Sequence, residues 1–169
     1  GNGTDPETRM GPLASRRRLD AAMRLTEDAQ THGAQLMTGG QALSNEGYFF
    51  PPTVLRDVPQ SAAIMQEEPF CPVVPLAPFD DLDHAIALAN STPFGLASYL
   101  FSRDPKTIDS ASARIDAGMV GVNHTNVSTP ETPFGGVNES GYGSEGGPDG
   151  LLPFLRVKLV TELPQGHAA

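Results

Sequence analysis

A chain of 169 residues is long enough for one domain with a sizeable core and too short for two ordinary ones. Its net charge of −9 argues against a nucleic-acid or anionic-membrane partner, either of which needs clustered Lys and Arg. The single cysteine, Cys71, excludes an internal disulfide and a multi-cysteine zinc site, and no apolar run nears the roughly 18 residues of a membrane span. With no signal peptide at its start, the chain reads as soluble and cytoplasmic. A start at Gly1 rather than Met reads as a processed product or a piece of something longer.

Gly1 to Pro12 lacks periodicity and is expected to be an extended lead-in. Ser15 then caps a predicted helix with Leu19, Ala22, Met23, Thr26 and Ala29 in its apolar stripe, ended by Gly33. Arg16-Arg17-Arg18 in its first turn oppose the helix dipole, so they are either hydrated or compensated by a neighbour. A strand from Ala34 to Met37, a Gly39-Gly40 turn and an edge segment from Tyr48 to Leu55 follow, the edge position being inferred from Pro51 and Pro52. From Val73 the pattern is regular: strand Val73 to Phe79, helix Asp81 to Asn90, strand Leu96 to Phe101. Next come a helix capped by Asp104 with Pro105 at its first position, and strand Met119 to Val122. The expected class is α/β, a parallel β-α-β-α-β sheet with covering helices. Ligands of such sheets bind beyond the carboxyl ends of the strands, so residues 123–136 mark the functional edge. Beyond the glycine-punctuated stretch 133–147 lie a helical turn around Leu151 to Leu155, a strand Val157 to Thr161 and a loose tail. A final strand of this kind needs an edge to pair with, and another subunit is one source.

Residues 65–73, Met-Gln-Glu-Glu-Pro-Phe-Cys-Pro-Val, form a stiff rail at the mouth of a strand, because Pro69 and Pro72 restrict the backbone there. The rail is either a crossing turn or a ligand holder. On this extended rail Glu67 and Glu68 are expected to point opposite ways and Phe70 to share the side of Glu68, an arrangement suited to a ribose and its base. Cys71 has no neighbouring His, Arg or helix N-terminus to activate it as a nucleophile. His32, His84, His124 and His167 lack metal-site spacing, and only His124 falls on the expected functional edge. Gly141-Tyr142-Gly143-Ser144-Glu145-Gly146 matches G-x-G-x-x-G in letters but has no preceding strand and meets Gly147-Pro148, so it is read as a structural loop.

Several motifs carry a resemblance when taken in order: Met10-Gly11-Pro12-Leu13, Gly39-Gly40, Pro52-Thr53-Val54-Leu55, Glu67-Glu68-Pro69-Phe70-Cys71-Pro72-Val73, Ala87-Leu88-Ala89-Asn90 with Gly95-Leu96-Ala97, Gly118-Met119-Val120 with Val122-Asn123, and Pro133-Phe134-Gly135-Gly136 with Ser140-Gly141. Over nearly its whole length the chain resembles the C-terminal part of the NAD(P)-dependent aldehyde dehydrogenase superfamily. The resemblance implies that Glu68 holds the nicotinamide ribose hydroxyls of NAD or NADP with Phe70 beside it. It also implies that Asn123, Ser128 and Phe134 line the aldehyde site, Ser128 being similar to the succinate-semialdehyde branch. Residues 1–155 would belong to the catalytic domain, and residues 156–169 to a strand and tail that pair in a homo-oligomer, dimer or tetramer. The family's chemistry, aldehyde to carboxylic acid through a cysteine thiohemiacetal, uses residues upstream of Met10, so no catalytic residue is expected in this chain. The chain alone is expected to be inactive without the N-terminal part. Three positions depart from the family pattern: Cys71 for a glycine, Ser144 for an arginine, and Arg156 where many members carry an acid. The competing expectation is a non-catalytic α/β binding or interaction module that kept the sheet and lost the chemistry.

Overall fold

The computed structural model describes residues 1–43 and 46–163. Length suggested one domain, but the chain divides into two compact units, one from Gly1 to Asp80 and one from Asp81 onward.

The N-terminal unit is built on α1 (Arg16–Thr31), which buries Leu19, Ala22, Leu25, Thr26 and Ala29 on one face. Leu25 widens the stripe expected from spacing, while Met23 packs only partly against the core. Ser15 takes the extended N-cap conformation without a side-chain bond. At the other end Gly33 adopts φ +102, the left-handed conformation that lets its N–H reach the Gln30 carbonyl. Strands β1 (Gln35–Thr38), β2 (Thr53–Arg56) and β3 (Val73–Pro75) make a sheet in the order β1-β2-β3, antiparallel then parallel. The register of β1 on β2 shifts between Leu36 and Thr38, a bulge next to the Gly39-Gly40 turn. A Cβ on Gly39, at φ +74, would collide with Thr53 Oγ1 and the Pro52 carbonyl, so the turn requires glycine there. The segment expected at a sheet edge is therefore central. Pro51 and Pro52 precede the ladder rather than interrupt it, so no ladder bond is lost. The core of this unit joins α1 to Phe50, Leu55, Val58, Ala62, Ile64 and Val73.

The C-terminal unit holds α2 (Leu82–Ala89), β4 (Phe94–Gly95), β5 (Ala97–Leu100), α3 (Pro105–Arg114), β6 (Met119–Val122) and β7 (Val137–Asn138). β5 and β6 pair in parallel from Ala97↔Met119 to Leu100↔Val122, so β5-α3-β6 is the expected parallel β-α-β unit. The longer β-α-β-α-β run is not one sheet among the described residues: β3 pairs with β2, whereas β4 pairs antiparallel with β7. The expected helix near residue 151 is a 3-10 segment, Pro148–Phe154. The expected strand Val157 to Thr161 has no strand partner among the described residues, and Val157 is fully exposed. His167 and the tail 164–169 lie outside the described residues, as do residues 44 and 45. No described helix is long and apolar enough to cross a membrane.

Asp104 caps α3 fully, accepting from Lys106 N–H, Thr107 N–H and Thr107 Oγ1. The Thr107 bonds hold its carboxyl below the usual aspartate range. A depressed folded-state pKa contributes stability above the unfolded pKa and loses it as pH falls through the folded one. The melting temperature of Asp104→Ala should therefore fall below wild type at neutral pH, and the gap should narrow only below the ordinary aspartate range, as followed by circular dichroism.

Candidate functional site

In the N-terminal unit the rail 67–72 leads directly into β3, and its place is set by the bond from the Thr53 N–H to the Pro72 carbonyl at 2.8 Å. The backbone is not uniformly extended. Phe70 takes φ +42, a left-handed conformation rare for an aromatic residue, so the alternation that placed Phe70 on the side of Glu68 does not hold through this position. The prolines restrict Glu68 and Cys71, their preceding residues, and leave Phe70 as the point where the chain turns.

The two adjacent carboxylates differ in their partners. Glu67 accepts from Arg24 on α1 through both guanidinium nitrogens, at 2.6 and 3.2 Å. This pairing raises the Arg24 pKa, first through the hydrogen bond and then through the charge. Glu68 is exposed, and its carboxylate has no hydrogen bond or ion pair among the described residues. The Phe70 ring is 64% exposed, with the Arg18 guanidinium 5.0 Å from its centroid. Of the arginines read as hydrated or compensated, Arg16 pairs with Asp20 and Arg18 covers Phe70. The i, i+4 spacing could reveal the first of these contacts but not the second, since Arg18 and Phe70 are far apart in sequence.

Cys71 is half-buried, and burial pushes its thiol up, against smaller opposing effects of the Val73 N–H and the Arg18 charge. That fits a packed thiol rather than a nucleophile. Among the described residues, no group of His, Cys, Asp and Glu could hold a metal ion. His32 sits 3.5 Å from the Asp28 carboxylate on α1, and His124 is exposed.

In the C-terminal unit the loop after β6 is fastened at both ends. Asn123, at φ +59, grips the Ser102 backbone: its Nδ2–H donates to the Ser102 carbonyl at 2.9 Å, and its Oδ1 accepts from the Ser102 N–H at 3.0 Å. At the other end Phe134 and Glu145 exchange two backbone hydrogen bonds of 2.7 Å. Ser128 is exposed between them, and half-buried Phe134 lines a cleft of about 510 Å³ with Leu96, Tyr142 and Phe154. The Pro-Phe-Gly-Gly motif has a steric cause. A Cβ on Gly118 would strike the Gly135 carbonyl, and one on Gly135 would strike the Gly143 carbonyl, so three backbone segments pack without side chains between them. Of the G-x-G-x-x-G letters, Gly143 lends its carbonyl to this packing and Gly146 lies against the Thr132 carbonyl, while a Cβ on Gly141 would meet open space; no α-helix opens at Gly146.

Asn90 ends α2 and clasps the turn after α3. It donates to the Arg114 carbonyl at 2.8 Å and accepts from the Asp116 N–H at 2.9 Å. Ser140 Oγ accepts from the Gly95 N–H at 2.9 Å, and Asn138 donates to Asp116 at 2.8 Å. Asn90 and Ser140, both in the ordered motifs, thus hold the backbone.

The helix-backed sheet of the N-terminal unit and the parallel β-α-β of the C-terminal unit each make this an α/β protein. The model of the aldehyde dehydrogenase family matches residues 1–160, and the chain belongs to that family. A 4-(hydroxymethyl)benzenesulfonate dehydrogenase of Comamonas testosteroni is 48% identical over 160 residues, covering 95% of this chain and 33% of that protein. A succinate-semialdehyde dehydrogenase of Paenarthrobacter nicotinovorans is 42% identical over 95% of this chain and 36% of its own length. The crystal structure of an NADP-dependent enzyme of E. coli superimposes with a TM-score of 0.89 at 38% identity, covering 91% of this chain and 32% of that one. The chain thus spans about a third of the length of the curated relatives it matches.

Alkylation provides a direct check on Cys71. Because burial raises its pKa, the rate of iodoacetamide labelling, read as a mass shift, should reach half its maximum at a higher pH than that of a free cysteine peptide.

Proposed function

We propose that this chain forms the C-terminal part of an aldehyde dehydrogenase subunit that oxidises an aldehyde to a carboxylic acid with NAD or NADP. The observation that carries this reading is the contrast between the two adjacent acids: Arg24 engages Glu67, while Glu68 keeps both oxygens open. A carboxylate with two uncommitted acceptor oxygens suits a vicinal diol, so Glu68 is assigned to the nicotinamide ribose hydroxyls and Phe70 to the space beside them. When bound, the nicotinamide cofactor supplies the hydride acceptor for the oxidation. Asn123, Ser128 and Phe134 are assigned to the wall of the aldehyde site. Asn123 acts there by placing the loop, since its amide is committed to Ser102. Ser128 and Phe134 have side chains available to a substrate, Ser128 as a hydroxyl donor and Phe134 as apolar lining. The relatives' substrates, a sulfonated aromatic and a semialdehyde, support a panel of anionic aldehydes as the first to test.

No residue of this chain is assigned a catalytic role. The cysteine nucleophile that forms the thiohemiacetal, the base that assists water and the main cofactor-binding fold are assigned to polypeptide preceding Met10-Gly11-Pro12-Leu13. Residues 1–155 are assigned to the catalytic domain, and the apolar residues of the 156–169 tail, among them exposed Leu159 and Val160, to pairing in a homo-oligomer.

In the full-length subunit, Glu68→Gln should raise the KM for NAD(P) about ten- to a hundredfold, the worth of a hydrogen bond to a charged group. An unchanged cofactor KM would overturn the assignment. The chain by itself should give no NAD(P)H absorbance with any aldehyde of the panel, and turnover by the isolated chain would contradict an upstream nucleophile.

A further inference from the structure

Three contacts link α1 to the segment that ends in the rail. Arg18 covers Phe70 at 5.0 Å, Arg24 holds Glu67 with two bonds, and the Asp28 carboxylate accepts from the Ala63 N–H at 2.7 Å. The contacts run in opposite order along the two segments, so helix and rail lie side by side like the edges of a zip. Six helical residues from Arg18 to Arg24 rise about 9 Å, within the roughly 10 Å that the three residues from Glu67 to Phe70 could span at full extension. Glu68 falls between the Glu67 and Phe70 contacts and makes none of its own.

We propose that α1 is a splint for the Glu68 turn and that Arg24 is its main positioning residue, acting on cofactor affinity through Glu67 without touching the ligand. This rests on the assignment of Glu68 to the cofactor. The turn needs such a splint because Phe70 occupies a left-handed conformation that its own side chain does not favour, so contacts outside the turn must hold it. Arg24 holds Glu67, next to Glu68, while the aromatic contact holds Phe70 beyond it. The carboxylate of Glu68 is thereby presented with its flanking backbone already ordered, which lowers the entropy lost when a ligand binds. Arg24 and Glu67 are about half exposed, and water screens the pair, so its removal should have a modest effect.

The test uses steady-state kinetics of the full-length subunit with NAD(P) as the varied substrate. Arg24→Ala and Glu67→Gln should each raise the cofactor KM about two- to fivefold, the worth of one exposed ion pair, with kcat and the aldehyde KM unchanged. The double variant should be no worse than either single one, and the exchanged pair Arg24→Glu with Glu67→Arg should recover most of the loss. A merely structural role would instead lower melting temperature and kcat together, and that outcome overturns the proposal. An unchanged cofactor KM in Arg24→Ala, alongside a raised one in Glu68→Gln, overturns the splint alone. An unchanged KM in Glu68→Gln overturns the cofactor assignment and the splint with it.

Discussion

The hydrogen bond from the Thr53 N–H to the Pro72 carbonyl sets the register on which the N-terminal unit depends. Thr53 is almost completely buried, and its hydroxyl donates to the Pro51 carbonyl while accepting from the Gly40 N–H. One residue thus joins the glycine turn after β1, the proline pair before β2 and the start of β3. Were the β2–β3 ladder to slip by one residue, every side chain on β3 would change face and the rail would leave its place beside α1. The carboxylate turn is positioned by a buried polar hub, with hydrophobic contacts from Leu55 and Val73 completing the sheet's inner face.

Elements whose cause is local were legible in the sequence. Asp104 followed by Pro105 marks the start of α3, and the spacing of α1's stripe marks its buried face, because capping and 3.6-residue periodicity involve only near neighbours. The strand Met119 to Val122 was legible for the same reason, as a short apolar run between a glycine and a loop. What depends on distant chain was not. Pro51 and Pro52 suggested an edge, yet a strand can be central when its prolines stand just outside the ladder. The rigid rail was foreseen at Pro69 and Pro72, whereas the reversal at Phe70 was not, since nothing in its neighbours requires positive φ.

The candidate site shows the same division. That only one of the two adjacent acids faces a given ligand is an expectation from local backbone, whereas the partner that captures Glu67 lies 43 residues earlier in the sequence. Asn123, expected to line the aldehyde site, clasps the Ser102 backbone, as Asn90 clasps the backbone of Arg114 and Asp116 elsewhere in the C-terminal unit. An amide carries both donor and acceptor, so it can satisfy a strand end or helix end as another peptide group would. A motif read from sequence does not distinguish an asparagine that meets substrate from one that replaces a missing main-chain partner.

The double anchoring of the loop after β6 has a mechanical consequence. One end is locked to Ser102, the other is stitched to Glu145, and the Pro130 carbonyl between them accepts from the Gly147 N–H at 3.0 Å. Swinging this loop outward breaks at least one of these bonds, so it resists opening as a hinged flap would not.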